Sequence, residues 1–165
     1  MRWLLGLGVF LLAAVSVSCG DSFTGKCVGV SDGDTVSVMK DGAAAKVRLN
    51  GIDCPESGQD FGARAKQFTS GFVFGKDVKV VWEEKDRYGR LLGTVYVGTV
   101  NVCEALVEKG LAWHYVKYSD DKRLHKLESV AKKAGVGVWS RTDPMPPWDF
   151  RKKKRDASGR GAGRK

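Results

Sequence analysis

Arg48-Leu49-Asn50-Gly51-Ile52-Asp53-Cys54-Pro55-Glu56 follows a run, Ala45 to Leu49, in which apolar and polar side chains alternate. Alternation is the pattern of a half-buried strand. Val47 and Leu49 are thus predicted to face a core, with Arg48 on the opposite side. The strand ends in a turn that carries Asp53, and Pro55 stiffens the turn that aims Glu56. One stretch sets a cation and two carboxylates within reach of one another at a strand end. Working outward, Phe23–Val30 and Thr35–Met39 read as strands too, and Asp41-Gly42 is a strong hairpin signal. These three strands form an antiparallel meander. Val78–Trp82 and Leu91–Val97 supply a fourth and a fifth.

Three segments carry helical spacing. Phe61, Ala65, Phe68 and Phe72 make one face of a helix closed by Gly75. Val102 to Lys109 is a short helix stopped by Gly110. The last, capped by Ser119 or Asp120, carries Leu124, Leu127, Ala131 and Ala134 and stops at Gly135. Five short strands with helices after the third and fifth predict an α+β fold: a five-stranded OB-type Greek-key barrel with about three helices.

The 165 residues fit one domain with additions. Net charge is +9, but residues 151–165 hold eight Lys/Arg and a single acid, Asp156, which leaves +2 for everything else. Basicity therefore belongs to the tail. Residues 144–165, opened by Pro144, Pro146 and Pro147, read as a linker and a disordered basic tail that adds non-specific phosphate affinity. Residues 21–143 form the domain. Residues 1–20 read as a cleaved export signal: Arg2, an apolar run from Trp3 to Val17, then Ser16-Val17-Ser18. That places the protein in the periplasm or outside the cell. Cleavage before Cys19 would allow lipidation, which Ser16 disfavours. Cys27, Cys54 and Cys103 remain; a Cys27–Cys103 bridge and buried free thiols are both open. No C-x-x-C spacing indicates zinc. Trp113 reads as core, His114 and His125 as surface.

Asp34 opens the second strand and Asp53 ends the third, so neighbouring strands can bring both to one barrel edge. Two carboxylates with a backbone carbonyl, here that of Cys54, suit a hard cation such as Ca²⁺. Arg48 and Arg90 can each fork two N–H donors onto phosphate oxygens. Two arginines, two metal-type acids and the further carboxylate of Glu56 are the parts of a phosphodiester-hydrolysing site.

The motifs Asp32-Gly33-Asp34-Thr35, Arg48-Leu49, Gly51-Ile52-Asp53-Cys54-Pro55-Glu56 and Asp86-Arg87-Tyr88-Gly89-Arg90 closely resemble the staphylococcal nuclease family. Val100-Asn101, Leu106-Val107, Gly110-Leu111-Ala112 and Gly137-Val138-Trp139 extend the resemblance from about Phe23 to Trp139. It implies a secreted Ca²⁺-dependent nuclease that acts on DNA and RNA and leaves 3′-phosphate ends. By motif position it implies Asp34, Asp53 and the Cys54 carbonyl as metal ligands, and Arg48, Glu56 and Arg90 as the catalytic trio. Arg87 and Tyr88 match substrate-contacting positions, and Tyr115 and Tyr118 fall where the family's stacking tyrosines lie. The loop after Glu56 is shorter than in the staphylococcal prototype. A monomer is the default expectation. The alternative, a non-catalytic nucleic-acid-binding OB module, gains nothing from carboxylates that repel phosphate.

Overall fold

The structure, a computed structural model, describes residues 21–162. The expected export signal, with Cys19, lies outside the described residues. Five strands make the barrel: β1 (Asp21–Asp32), β2 (Thr35–Lys40), β3 (Ala43–Leu49), β5 (Asp77–Lys85) and β6 (Leu91–Val97). Strands β1, β2 and β3 pair antiparallel in sequence order, and β1 also pairs with β5, β5 with β6. Parallel pairing of β3 with β6, through Val47↔Leu91, Arg48↔Leu92 and Leu49↔Gly93, closes the sheet on itself. Closure removes the strand edges that an open sheet would expose.

Alternation in these strands fills the barrel. Val36, Val38, Val47, Leu49, Val78, Val80 and Val95 are buried, joined by Leu106 and Val107 from helix α2 (Val102–Glu108). Helix α1 (Gly62–Val73) buries Gly62, Ala65, Thr69 and Val73. This differs from the predicted phenylalanine stripe. Phe61 precedes the helix with a left-handed backbone (φ 67), and Phe68 and Phe72 stack on one another at the flank of the core. Asn101 caps α2, its side chain accepting from the N–H groups of Cys103 and Glu104. Helix α3 (Lys122–Ala134) is capped by Asp121, one residue beyond the expected cap, and ends at Gly135.

Short pairings complete the fold. A two-residue strand β7 (Val100–Asn101) extends the sheet beyond β6. Strand β4 (Ile52–Asp53) pairs with β8 (Trp113–His114), setting Asp53 opposite Trp113 and Ile52 opposite His114. His114 is consequently buried, not a surface residue; its N–H donates to Glu128 and its Nε2 lies 3.2 Å from the Ser119 hydroxyl. Trp113 is core, edge-on to Trp139.

A further helix, α4 (Pro147–Ala162), stands where the sequence predicts a disordered tail. Pro147 is at its first position and Asp149 in its first turn, both favourable there. Trp148 then stacks on Tyr115, which ties the helix start to the domain. None of the helices among the described residues is long and apolar enough to cross a membrane.

Cys27, Cys54 and Cys103 are buried and free. Burial raises all three thiols, Cys103 to about 12. Thiolate is the reactive form. A thiol reagent at pH 8 is therefore expected to leave all three unmodified in the folded chain and to modify them on denaturation, as read by intact mass. Rapid labelling of the native protein would contradict this burial.

Candidate active site

The turn between β1 and β2 holds Asp34 by its backbone. Its N–H donates to Asp32 Oδ1 (3.1 Å) and its carbonyl accepts from the Leu49 N–H (2.8 Å). Gly33 allows the close approach this needs. A Cβ there would stand 2.7 Å from Cys54 Cβ and 2.8 Å from Ala65 Cβ. The Thr69 hydroxyl of α1 donates to the Gly33 carbonyl at 2.6 Å. A helix, a turn and the end of β3 thus converge on one buried carboxylate.

Arg48 organises the centre. Its Nη1 donates to the carbonyls of Leu49 (2.8 Å) and Ile52 (3.0 Å), which fixes the bend between β3 and β4. Its Nη2 lies 3.1 Å from Asp34 Oδ2 and 2.9 Å from Asp53 Oδ1. Asp53, on β4, is only 1% exposed. The expectation that Asp34 and Asp53 meet at one barrel edge is met in this sense: one guanidinium touches both. The Cys54 N–H donates to Asp34 Oδ2 at 2.7 Å. Burial pushes the Asp34 carboxyl up to about 7, with Arg48 and the Cys54 N–H pulling the other way. Burial also acts to lower the Arg48 value, but Asp34 and Asp53 outweigh it and the net direction is up.

Glu56 sits at the rim with its side chain 38% exposed. The loop that follows winds into two turns: Gln59 N–H donates to the Glu56 carbonyl, and Gly62 N–H to the Gln59 carbonyl, each at 2.9 Å. The Gln59 side chain accepts from the Glu56 N–H at 3.0 Å. Gly62 packs directly on the Glu56 carbonyl, where a Cβ would collide with the oxygen.

The loop 86–90 is held apart from these acids by its own aspartate. Asp86 accepts from Arg90 Nε and Nη2, both at 2.7 Å, and from the N–H groups of Tyr88 and Arg90. Slight burial raises the Asp86 carboxyl, and these bonds more than reverse that, leaving it below its ordinary value. Arg90 precedes Leu91, the partner of Val47, so register sets it level with Lys46, two residues before Arg48 on β3. Its contacts are with Asp86 and the face of Tyr88 rather than with Glu56. Tyr88 is 69% exposed with Arg87 over its ring. Tyr115 follows β8, and its N–H donates to the Gly51 carbonyl at 2.9 Å. Tyr118 lies edge-on to it at 4.8 Å and is exposed.

Two further contributors come from α4: Arg151, unread in the sequence, and Trp148, whose folding back on the domain the sequence left open. Arg151, on α4, places Nη1 2.6 Å from Glu56 Oε1 and 3.2 Å from Asp53 Oδ1, and Nη2 2.8 Å from Asp53 Oδ2. Trp148 stacks on Tyr115 at 5.0 Å with the rings 6° from parallel. The signal that could have found them is the Pro147 helix start, which puts residues three apart on one face.

The donor set bears on which cation fits. The acceptors gathered here are carboxylate and carbonyl oxygens, and the Cys54 sulfur packs toward Gly33. Among the described residues no group of three His, Cys, Asp or Glu is placed to hold a metal ion. A cation at Asp34 and Asp53 would therefore complete its shell with carbonyl and solvent oxygens, a donor set that suits a hard divalent cation such as Ca²⁺.

Comparison with known proteins agrees with this geometry. Residues 46–141 match the family model described as staphylococcal nuclease homologue. A protein of Escherichia coli O157:H7 named "Uncharacterized endonuclease" is 40% identical over 155 residues, 93% of this chain and 100% of the relative. A "Micrococcal nuclease" of Shigella flexneri is 36% identical across 87% of this chain and 89% of its own length. A "Staphylococcal-like nuclease" of Arabidopsis thaliana is 43% identical over 67% of this chain and 34% of its own.

The Gly62 contact yields a prediction about how Glu56 is positioned. Gly62→Ala should destabilise the protein by about 1–3 kcal/mol, the cost of forcing extra volume into a packed site. Thermal melts measure it; an unchanged Tm would mean the loop after Glu56 yields freely.

Proposed function

From the premise that the chain belongs to the staphylococcal nuclease family and is a nuclease, we propose an exported, monomeric, Ca²⁺-dependent enzyme that hydrolyses DNA and RNA to 3′-phosphate products. The observation that carries this reading is the gathering of Asp34, Asp53 and Glu56 around guanidinium groups at one barrel end. A module that only bound phosphate would be weakened by three carboxylates there.

Each residue then has a task. Glu56 is exposed enough to meet water, and as general base takes the proton from a water directed at phosphorus, an effect of about 10²–10⁴-fold. Arg48, held by two carbonyls, cannot swing away and presents its charge to the phosphoryl oxygens as negative charge grows on them. Arg90 is the second clamp once phosphate competes with Asp86 for its N–H groups; loss of such a donor typically costs about 10²–10³-fold in turnover. Asp34, Asp53 and the Cys54 carbonyl would hold Ca²⁺, which supplies Lewis-acid stabilisation of the phosphoryl charge. Arg87, Tyr88, Tyr115 and Tyr118 contact the strand, the tyrosines by stacking on bases.

Cleavage of single-stranded DNA is the direct test, in millimolar Ca²⁺ and again with excess chelator. Cutting that needs Ca²⁺ and leaves 3′-phosphate ends is expected, and Glu56→Gln should reduce turnover by at least about a hundredfold with its fold intact. Binding without cutting by the folded protein would favour a non-catalytic OB module. Near-normal activity in the variant would remove Glu56 as the base.

A further inference from the structure

Helix α4 engages the site at three points with side chains from its first turns. Trp148 covers one face of Tyr115. Arg151 spans both oxygens of Asp53. The same guanidinium takes Glu56 Oε1. The approach to the helix is fixed by the Gln59 side-chain amide, which donates to the Met145 carbonyl at 2.6 Å. Beyond Arg151 the attachment stops: residues 152–159 are exposed, including Lys152, Lys153, Lys154 and Arg155.

Each contact blocks a step that the proposed reaction requires. A guanidinium bound to both oxygens of Asp53 is a cation already in place, so a divalent ion must compete with it. A Glu56 oxygen already accepting from a guanidinium is not free to accept from a water. A tyrosine face covered by tryptophan cannot receive a nucleobase. One helix thus stands in for metal, water proton and base together.

Resting on the nuclease reading above, we propose that α4 is an intramolecular inhibitor that closes the site in the free protein and is displaced jointly by divalent cation and nucleic acid. Both ligands favour the released helix, so each raises the other's affinity. Once released, Lys152–Arg155 are free to follow the phosphates of a bound strand. Single nucleotides, lacking flanking phosphates, gain nothing from that run, so displacement favours polymers.

The test uses the purified protein and Ca²⁺ alone, titrated by calorimetry into the wild type and R151A. If the closed helix holds about nine molecules in ten, its release tightens the apparent Ca²⁺ affinity about tenfold. W148A should shift Ca²⁺ affinity in the same direction, although Trp148 lies on Tyr115 and not on a carboxylate. Hydrogen exchange of the α4 amides should accelerate when Ca²⁺ and a non-hydrolysable oligonucleotide are added to the wild type. Equal or weaker Ca²⁺ binding in R151A and W148A, or unchanged exchange in α4, would overturn the inhibitor while leaving the nuclease reading standing. A wild type that binds no Ca²⁺ even when folded would overturn the metal assignment, and the inhibitor with it.

Discussion

Two aspartates buried side by side cost several kcal/mol apiece unless a cation meets them. Arg48 meets both Asp34 and Asp53, and its other nitrogen holds the carbonyls of Leu49 and Ile52. That one guanidinium joins the β1–β2 turn, the end of β3 and the start of β4. Without it the bend from β3 to β4 loses its inner bonds, and Asp34 loses the guanidinium that meets its carboxylate. The barrel and the site are therefore not separable: the group that lets the acids be buried is also the one to which the proposed reaction assigns the phosphate.

The barrel strands were legible because each presents one face to the core, and alternation records that directly, as at Val47-Arg48-Leu49. The meander and the α2 and α3 stops followed from turn and cap chemistry. The two-residue strands β4 and β8 were not legible, since a period cannot be read from two residues. Their pairing is what buries His114 and brings Tyr115 beside Gly51. The α1 face was misread because Phe61 keeps the helical interval while lying outside the helix.

Within the site, the meeting of Asp34 and Asp53 beside Arg48 was legible from residue type and strand order. Arg151 was not. It reaches its partners across 95 to 98 positions, and a run of cations reads as solvated until something shows that one of them is turned inward. Nor does sequence order tell that Asp86 holds Arg90 at rest. Motif position assigns an arginine to a loop; which carboxylate it prefers in the free protein depends on packing.

The closing pair β3–β6 joins Arg48 to Leu92, parallel and distant in the chain. Parallel, long-range pairing cannot form until the intervening chain has folded back, so it belongs to the late part of folding. The acids that neighbour Arg48 come from a short span, Asp34 to Asp53, and can assemble early. The loop carrying Arg90 is set in place only as β6 docks. A chain whose synthesis stops before Asp86 could gather these carboxylates yet would lack Arg90, so the groups to which the proposed reaction assigns tasks are all present only once the chain has reached β6.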